Sequence, residues 1–363
     1  MQRKRISALL ATLAATALLA AGCGGDDATS SSGDSAASGG TPAQELRLGF
    51  FANVTHATPL VGLKEGIYQK ELGLTEIKTQ TFNAGPAAVE AIFAGTLDAT
   101  YIGPNPAINA FFKSKGDAIR IIAGATSGGA ALVVRPEING AADLTGKTLA
   151  TPQLGNTQDV ALRAWLKENG LETSPSGGGD VNIAPTENAT TLQLFQDGKL
   201  DGAWLPEPWA SRLVVDAGAK VLVDEKDLWP EGKFVTTHLI VTKKFLDEHP
   251  QTVEALLRAH VESTEWIRAN SGEAKADVNA QLEAFAGKPL KQPVIDRAWS
   301  NIQITEDPVA GSLKKSADNA NAVGLLKDGK GDDLAGIYYL GPLNTILKSK
   351  RLAEVTDAGL GQS

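Results

Sequence analysis

The side chains best suited to nucleophilic or metal chemistry in this chain are four histidines and a single cysteine, and their spacing supports neither. His56, His238, His249 and His260 contain no i, i+4 pair of the kind that holds a catalytic metal on one helix face. His238, His249 and His260 are spaced eleven apart, but Pro250 separates the first two from the helix carrying the third, so equal spacing has no geometric meaning. No strand-linked G-x-G-x-x-G, phosphate loop or nucleophile elbow occurs, and Gly177-Gly178-Gly179 lacks the Lys and Ser/Thr of a phosphate cradle. The expectation is a chain with no catalytic residue, no metal and no cofactor.

What does recur is a set of uncharged polar residues where strands give way to helices. Asn53, Thr55 and His56 follow the first strand, and Gly85 precedes the second helix. Asn105 follows the third strand, Thr126 and Ser127 lie at a turn-rich crossover, and Asn156 and Thr157 open a later helix. A helix N-terminus offers free backbone N–H groups and a partial positive charge, so it holds an anionic oxygen without a buried cation. Hydroxyls and amides add further donors. Each such residue alone is an ordinary helix cap; the repetition across five loops points to a binding surface. Trp204-Leu-Pro-Glu207-Pro-Trp209 adds two indoles and a carboxylate in a proline-stiffened loop, with Trp204 and Glu207 as candidate pocket walls.

The elements that must position these residues alternate short apolar strands with amphipathic helices, which predicts a mainly parallel α/β sheet. Strands are expected over 46–51, 97–102, 119–123, 131–134, 147–150, 200–205, 220–223 and 235–242, the last returning to the first sheet. Helices are expected over 59–70, from Gly85 to Gly95, over 157–169 and 188–196, and through most of the chain beyond Pro250. One stretch repeats. Phe93 to Pro104 parallels Phe195 to Pro206, each with a helix end, a Gly stop, Leu-Asp, a strand and an aromatic before a Pro-rich loop. The repeat predicts two units on one plan, presenting strand ends to a shared cleft.

Arg3, Lys4 and Arg5 precede the apolar run Ile6 to Ala21, which is short for a permanent span and reads as a signal segment. It meets Leu19-Ala20-Ala21-Gly22-Cys23, which resembles a bacterial lipobox, with Leu four rather than three places before the Cys. Residues 1–22 are therefore expected to be a signal peptide, Cys23 the lipidation site, and residues 23–44 a flexible tether on the outer face of the cell membrane. Acylation of the single Cys leaves no thiol for a disulfide. Losing residues 1–22 removes three cations and no anion, taking the formal charge from −8 to −11. So acidic a body excludes nucleic acid as a partner and any broad attraction for anions. An anion would have to be held locally.

Several runs resemble the solute-binding proteins of sulfonate, taurine and nitrate ABC transporters. They are Gly49-Phe-Phe-Ala-Asn53-Val-Thr55-His56-Ala-Thr-Pro59, Gly95-Thr-Leu-Asp98, Gly103-Pro-Asn105-Pro106, Asp143-Leu-Thr-Gly-Lys147, Gly198-Lys-Leu-Asp201, Glu207-Pro-Trp209, Phe245-Leu-Asp-Glu-His-Pro250 and Gly336-Ile-Tyr-Tyr339. The resemblance implies a type II periplasmic-binding fold: two αβ lobes, 46–126 plus 241–363 and 127–240, with two crossovers forming a hinge. It implies a monomer that captures a small anion, sulfonate-type first, and delivers it to a membrane permease driven by an ATPase. Nitrate, bicarbonate or a heterocyclic nutrient are the other ligand classes it implies. Family members that hold a sulfonate often place a basic side chain near it, and these loops carry no Arg or Lys. A pyrimidine-synthesis enzyme shares the fold, but needs a reactive His and Cys cluster that this chain lacks.

Overall fold

The structure, a computed structural model, describes residues 41–361 apart from residue 328. The signal segment, Cys23 and the tether as far as residue 40 lie outside the described residues. Thr41–Gln44, expected to be loose tether, are tied down instead. The Ala43 N–H donates to Thr252 Oγ1 at 2.8 Å, and its carbonyl accepts from Thr75 Oγ1 at 2.7 Å. Their composition gave no hint of this, because the partners lie far away in sequence.

The first half of the chain runs β1 (Glu45–Phe51), α1 (Ala57–Lys64), α2 (Ile67–Leu72), β2 (Glu76–Phe82), α3 (Gly85–Phe93), β3 (Ala99–Ile102), α4 (Pro104–Lys113) and β4 (Ile119–Gly128). It then crosses into β5 (Ala130–Val134), β6 (Thr148–Thr151), α5 (Thr157–Glu168), β7 (Asn182–Pro185), α6 (Asn188–Gln196), β8 (Gly202–Pro206), α7 (Trp209–Ala217) and β9 (Lys220–Asp224). It returns through β10 (Val235–Thr242) to α8 (Lys243–Glu248), α9 (Pro250–Ala269), α10 (Ser271–Ala286), α11 (Gln292–Ser300), β11 (Ile302–Ile304), α12 (Ala310–Ala322) and α13 (Gly341–Ser349). Proline falls in the first turn of α3, α4, α9, α11 and α13, where its missing N–H costs nothing.

Two sheets result, in the orders β11-β4-β10-β3-β1-β2 and β7-β6-β8-β5-β9. The expected single plan is visible strand by strand, since β2-β1-β3-β10-β4 matches β7-β6-β8-β5-β9. The repeated Leu-Asp carboxylates do the same job in both. Asp98 Oδ2 accepts from the Arg47 N–H of β1 at 2.9 Å, and Asp201 Oδ2 accepts from the Thr148 N–H of β6 at 2.8 Å. Each fixes the register of two parallel strands at their starts.

The sheets are mixed rather than mainly parallel. Among the described residues four strand pairings are parallel and five antiparallel. The reason is the crossover. A strand arriving from the other half enters at the cleft and must run away from it, so β5 and β10 oppose their neighbours. Strand β10 lies in the first sheet over its whole length, from Val235, earlier than the expected boundary at 240. The β4–β5 crossing is a Gly128-Gly129 step with both φ values near +75°. A Cβ on Gly128 would sit 2.8 Å from the Asn301 carbonyl oxygen, so the step needs glycine for space as well as for φ.

Packing follows strand alternation. On the second sheet Leu132, Val134, Leu149 and Trp204 face one core, and Val133, Ala150, Ala203 and Leu205 the other. The C-terminal elements touch both halves. α11 packs on α7, with Lys291 Nζ 2.7 Å from Asp216, while α12 packs on both α4 and α5.

Buried polar groups are handled by pairing or by neutrality. Arg163 and Asp159 are 1% and 0% exposed, joined at 3.1 Å, and Arg163 also donates to the Ser174 carbonyl. Replacing Asp159 by Ala leaves that guanidinium buried without its counter-charge, and should cost about 3–5 kcal/mol. Urea unfolding checks this, with the double variant Asp159→Leu/Arg163→Met expected to recover most of the loss. Burial also keeps His56, His238 and His260 neutral, at pKa values of about 3, 4 and 3. Unfolding releases them to take protons below about 6.5, so stability falls as pH drops through that value. Glu225, pushed up to about 7 by burial, and Glu207, also raised by burial, work in the opposite direction. The three histidines outnumber these two carboxylates, so the net expectation is a loss of stability as pH falls from 6.5 to 5. Urea midpoints measured across that range should fall; a level profile would contradict the assignment.

Candidate functional site

Six strands end at one place. The carboxyl ends of β1, β2 and β3 face those of β6, β7 and β8, with β10 passing between, and they enclose a narrow cavity of about 20 Å³, room for about one water molecule. From the first sheet's side come Phe51, Asn53, Thr55, His56, Asn83 and Gly103. Asn156, Thr157, Gln158 and Asn188 come from the second, and Thr236 and Thr237 from β10.

The β1 end is built for rigidity. Asn53 leads into a single 3-10 turn, Val54–His56, which runs straight into α1. The His56 ring lies against Phe51, centroids 4.4 Å apart, and its Nδ1 accepts the Phe51 backbone N–H at 3.3 Å. An accepting Nδ1 leaves the proton of the neutral ring on Nε2. On the opposite side Asp159 shapes the loop from Thr151 to Asn156. Its carboxylate accepts from Thr151 Oγ1 at 3.0 Å and from the Gly155 N–H at 2.9 Å. Gly103 is glycine because the halves meet there: a Cβ would lie 2.3 Å from Thr157 Oγ1.

The lining carries no ionisable side chain except His56, which burial keeps neutral. Its polarity comes from amides, hydroxyls and the N-terminal ends of α1, α5 and α6, the positive poles of those helices. Three lining atoms are buried without a hydrogen-bond partner: Thr157 Oγ1, Asn188 Oδ1 and Thr237 Oγ1. A buried polar atom left unpaired costs about 1–3 kcal/mol. Two of the three are hydroxyls that can donate and the third an amide oxygen that accepts, so all three remain open to a further partner. Among the described residues no group of three or more His, Cys, Asp or Glu is placed to hold a metal ion.

Of the residues singled out in the sequence, Asn53, Thr55, His56, Asn156 and Thr157 meet at this cavity from both sides. Gly85 stands just behind it, its N–H donating to Asn156 Oδ1 at 3.3 Å. The others are elsewhere. Asn105 is buried between α4 and α12, donating to the Ser316 carbonyl at 3.0 Å. Thr126 and Ser127 belong to the crossover ladder, where Thr126 Oγ1 donates to the Thr55 carbonyl at 2.7 Å. Trp204 faces the core of the second sheet, because strand alternation turns it away from the cavity, and its Nε1 donates to Glu225 at 2.7 Å. Glu207 turns its carboxylate back onto its own helix, accepting from the N–H and Oγ of Ser211, and also from Asn301 Nδ2 at 2.7 Å. Burial raises its carboxyl. Asn83, Gln158, Asn188, Thr236 and Thr237 were not anticipated. Asn188 opens a helix after a strand and obeys the same rule as Asn156, so that rule applied throughout would have found it. Nothing local marks Thr237, which reaches the cavity because β10 crosses there.

The likeness to known proteins agrees with this architecture. Residues 39–282 match the model of the NMT1-like family, more than half of the chain. The taurine-binding periplasmic protein of Escherichia coli is 27% identical over 217 residues, which span 60% of this chain and 65% of that protein. A Bacillus subtilis protein named for aliphatic-sulfonate binding is 26% identical over 85% of this chain and 88% of its own length. Among solved structures, the alkanesulfonate-binding protein of Xanthomonas axonopodis pv. citri, bound to MOPS, superposes with a TM-score of 0.64 at 20% identity, covering 79% of this chain and 95% of its own. The nitrate-binding protein of Synechocystis PCC 6803 superposes at 0.71 with 15% identity, covering 85% and 89%. With two sheets on one plan and a neutral cavity where their strand ends meet, the chain belongs to the NMT1-like family and has the fold of the periplasmic solute-binding proteins.

Proposed function

We propose that this protein is the extracytoplasmic solute-binding component of an ABC importer. It captures a small anion, sulfonate-type first, in the cleft between two lobes built on the two sheets, and hands it to the permease. It does no chemistry on the ligand. The observation that carries this reading is the uncharged cavity at facing helix N-termini, where the Thr157 and Thr237 hydroxyls are unpartnered and can donate to an anion, and Asn188 Oδ1 can accept from an N–H or O–H of the same ligand. Relatives named for taurine, aliphatic sulfonates and bicarbonate support the ligand class. The absence of Lys and Arg from the lining means that helix dipoles and hydroxyls do the holding. The cavity of about 20 Å³ must widen to admit any of these ligands and widens least for a compact anion, which keeps nitrate and bicarbonate beside short sulfonates as the second reading. The protein works outside the membrane, attached through a lipid on Cys23, as a monomer. No described helix is long and apolar enough to cross a membrane.

Calorimetric titration with taurine, ethanesulfonate, nitrate, bicarbonate and neutral amide controls tests the ligand class. We expect micromolar or tighter binding of at least one anion, with little dependence on salt because no exposed cation takes part. Thr157→Val should weaken that binding about tenfold, the worth of one good hydrogen bond to a charged group, while raising the melting temperature of the ligand-free protein by removing an unpaired buried hydroxyl. Binding of a neutral amide in preference to every anion would overturn the reading. The anchor is tested separately by fractionation: Cys23→Ser should move the protein from the membrane to the soluble fraction, and continued membrane attachment would refute it.

A further inference from the structure

Asn53 and Asn156 hold equivalent places in the two-unit plan, one after β1 and the other after β6. Both line the cavity and both are buried, at 4% and 5% exposure. Both stand at the cap position of a helical segment, yet neither side chain caps it. An asparagine there ordinarily turns its oxygen onto an N–H of its own helix. Here both oxygens face the other way. Asn53 Oδ1 accepts the indole N–H of Trp209, on the second sheet's α7, at 2.9 Å. Asn156 Oδ1 accepts the backbone N–H of Gly85, at the start of the first sheet's α3, at 3.3 Å.

The donors are themselves fixed. The Arg212 guanidinium lies 4.7 Å from the centre of the Trp209 ring, and Gly85 is pressed so closely on Pro106 that a Cβ would fall 2.2 Å from its Cγ. Asn156 also donates from Nδ2 to Gln158 Oε1 at 2.8 Å, and Gln158 lines the cavity. The two amides thus join the cavity wall of one half to a rigid donor on the other, in opposite directions.

We propose that Asn53 and Asn156 are a reciprocal pair of positioning residues that fasten each half to the other at the cavity and hold the cleft closed. The proposal rests on the two-lobed reading above, but not on which ligand is bound. Each amide stabilises the closed arrangement through an acceptor that opening would expose, and the pair works from both sides, so neither half swings free while the other is held.

The test needs no ligand. Nitroxide labels on Glu90→Cys and Leu154→Cys, exposed residues from α3 and from the loop before α5 that line one groove beside the cleft, report the separation of the halves in the full chain carrying Cys23→Ser. The parent chain should show a short-distance population. Asn53→Ala and Asn156→Ala should each lower its ratio to the long-distance population roughly fivefold, and the double variant roughly twenty-five-fold. Asn53→Asp and Asn156→Asp retain the accepting oxygen, and should restore the short distance; a merely structural role for the amide would not predict that rescue. Melting temperatures should fall modestly, since both side chains are buried and hydrogen-bonded, so the distance ratio and its recovery in the Asp variants, not the melting curve, read the latch. Distance distributions unchanged by either Ala variant, a parent chain without the short distance, or Asp variants that stay open would overturn the proposal. If the labels respond as expected but no anion binds in calorimetry, the latch stands and the anion reading falls.

Discussion

The chain passes between its two sheets by strands that lie in the sheets themselves, and the rest of the structure depends on that constraint. Strand β4 ends at the cleft and β5 starts there, across two glycines that leave no room for a side chain. Strand β10 makes the return journey. Because each arriving strand runs away from the cleft, the parallel strands around it are left with their carboxyl ends facing it. The following helices therefore begin at the cleft, with their unpaired N–H groups and positive poles directed inward. The cavity is thus a consequence of connectivity. Its chemistry was settled once the direction of two crossings was settled.

That origin explains how an acidic protein can present a site suited to anions. A formal charge of −8 over the whole chain repels anions at long range. Within the cavity no carboxylate takes part in the lining. The nearby acids are diverted to structural work: Asp159 secures the loop that carries Asn156 and compensates Arg163, and Glu207 holds the start of α7 and Asn301. These charges are engaged by structural partners, so the cavity is left to amides, hydroxyls and helix ends. His56 fits the same pattern, since an accepting Nδ1 and full burial make it a neutral donor rather than a cation.

The unpartnered atoms and the cross-cleft amides are two sides of one economy of hydrogen bonds. Thr157, Asn188 and Thr237 hold groups that a ligand would complete, while Asn53 and Asn156 use theirs to join the halves. The C-terminal elements add to this coupling, because α11 and α12 rest on both halves.

Much of this was legible in the sequence. The alternation of strands and helices, the repeated Leu-Asp units and the polar residues at strand ends are local patterns, each produced by a few neighbouring residues. They determined the two-unit α/β plan and brought Asn53, Thr55, His56, Asn156 and Thr157 into view. Tertiary structure decided the rest. Whether Trp204 faces cavity or core depends on which side of the second sheet is turned to the cleft, and whether Asn105 meets a ligand depends on α12, about two hundred residues away. Thr237 joins the site only because β10 crosses between the sheets. A residue's own neighbours set its conformation, but what it touches across a cleft is set by the path of the chain, which no local pattern contains.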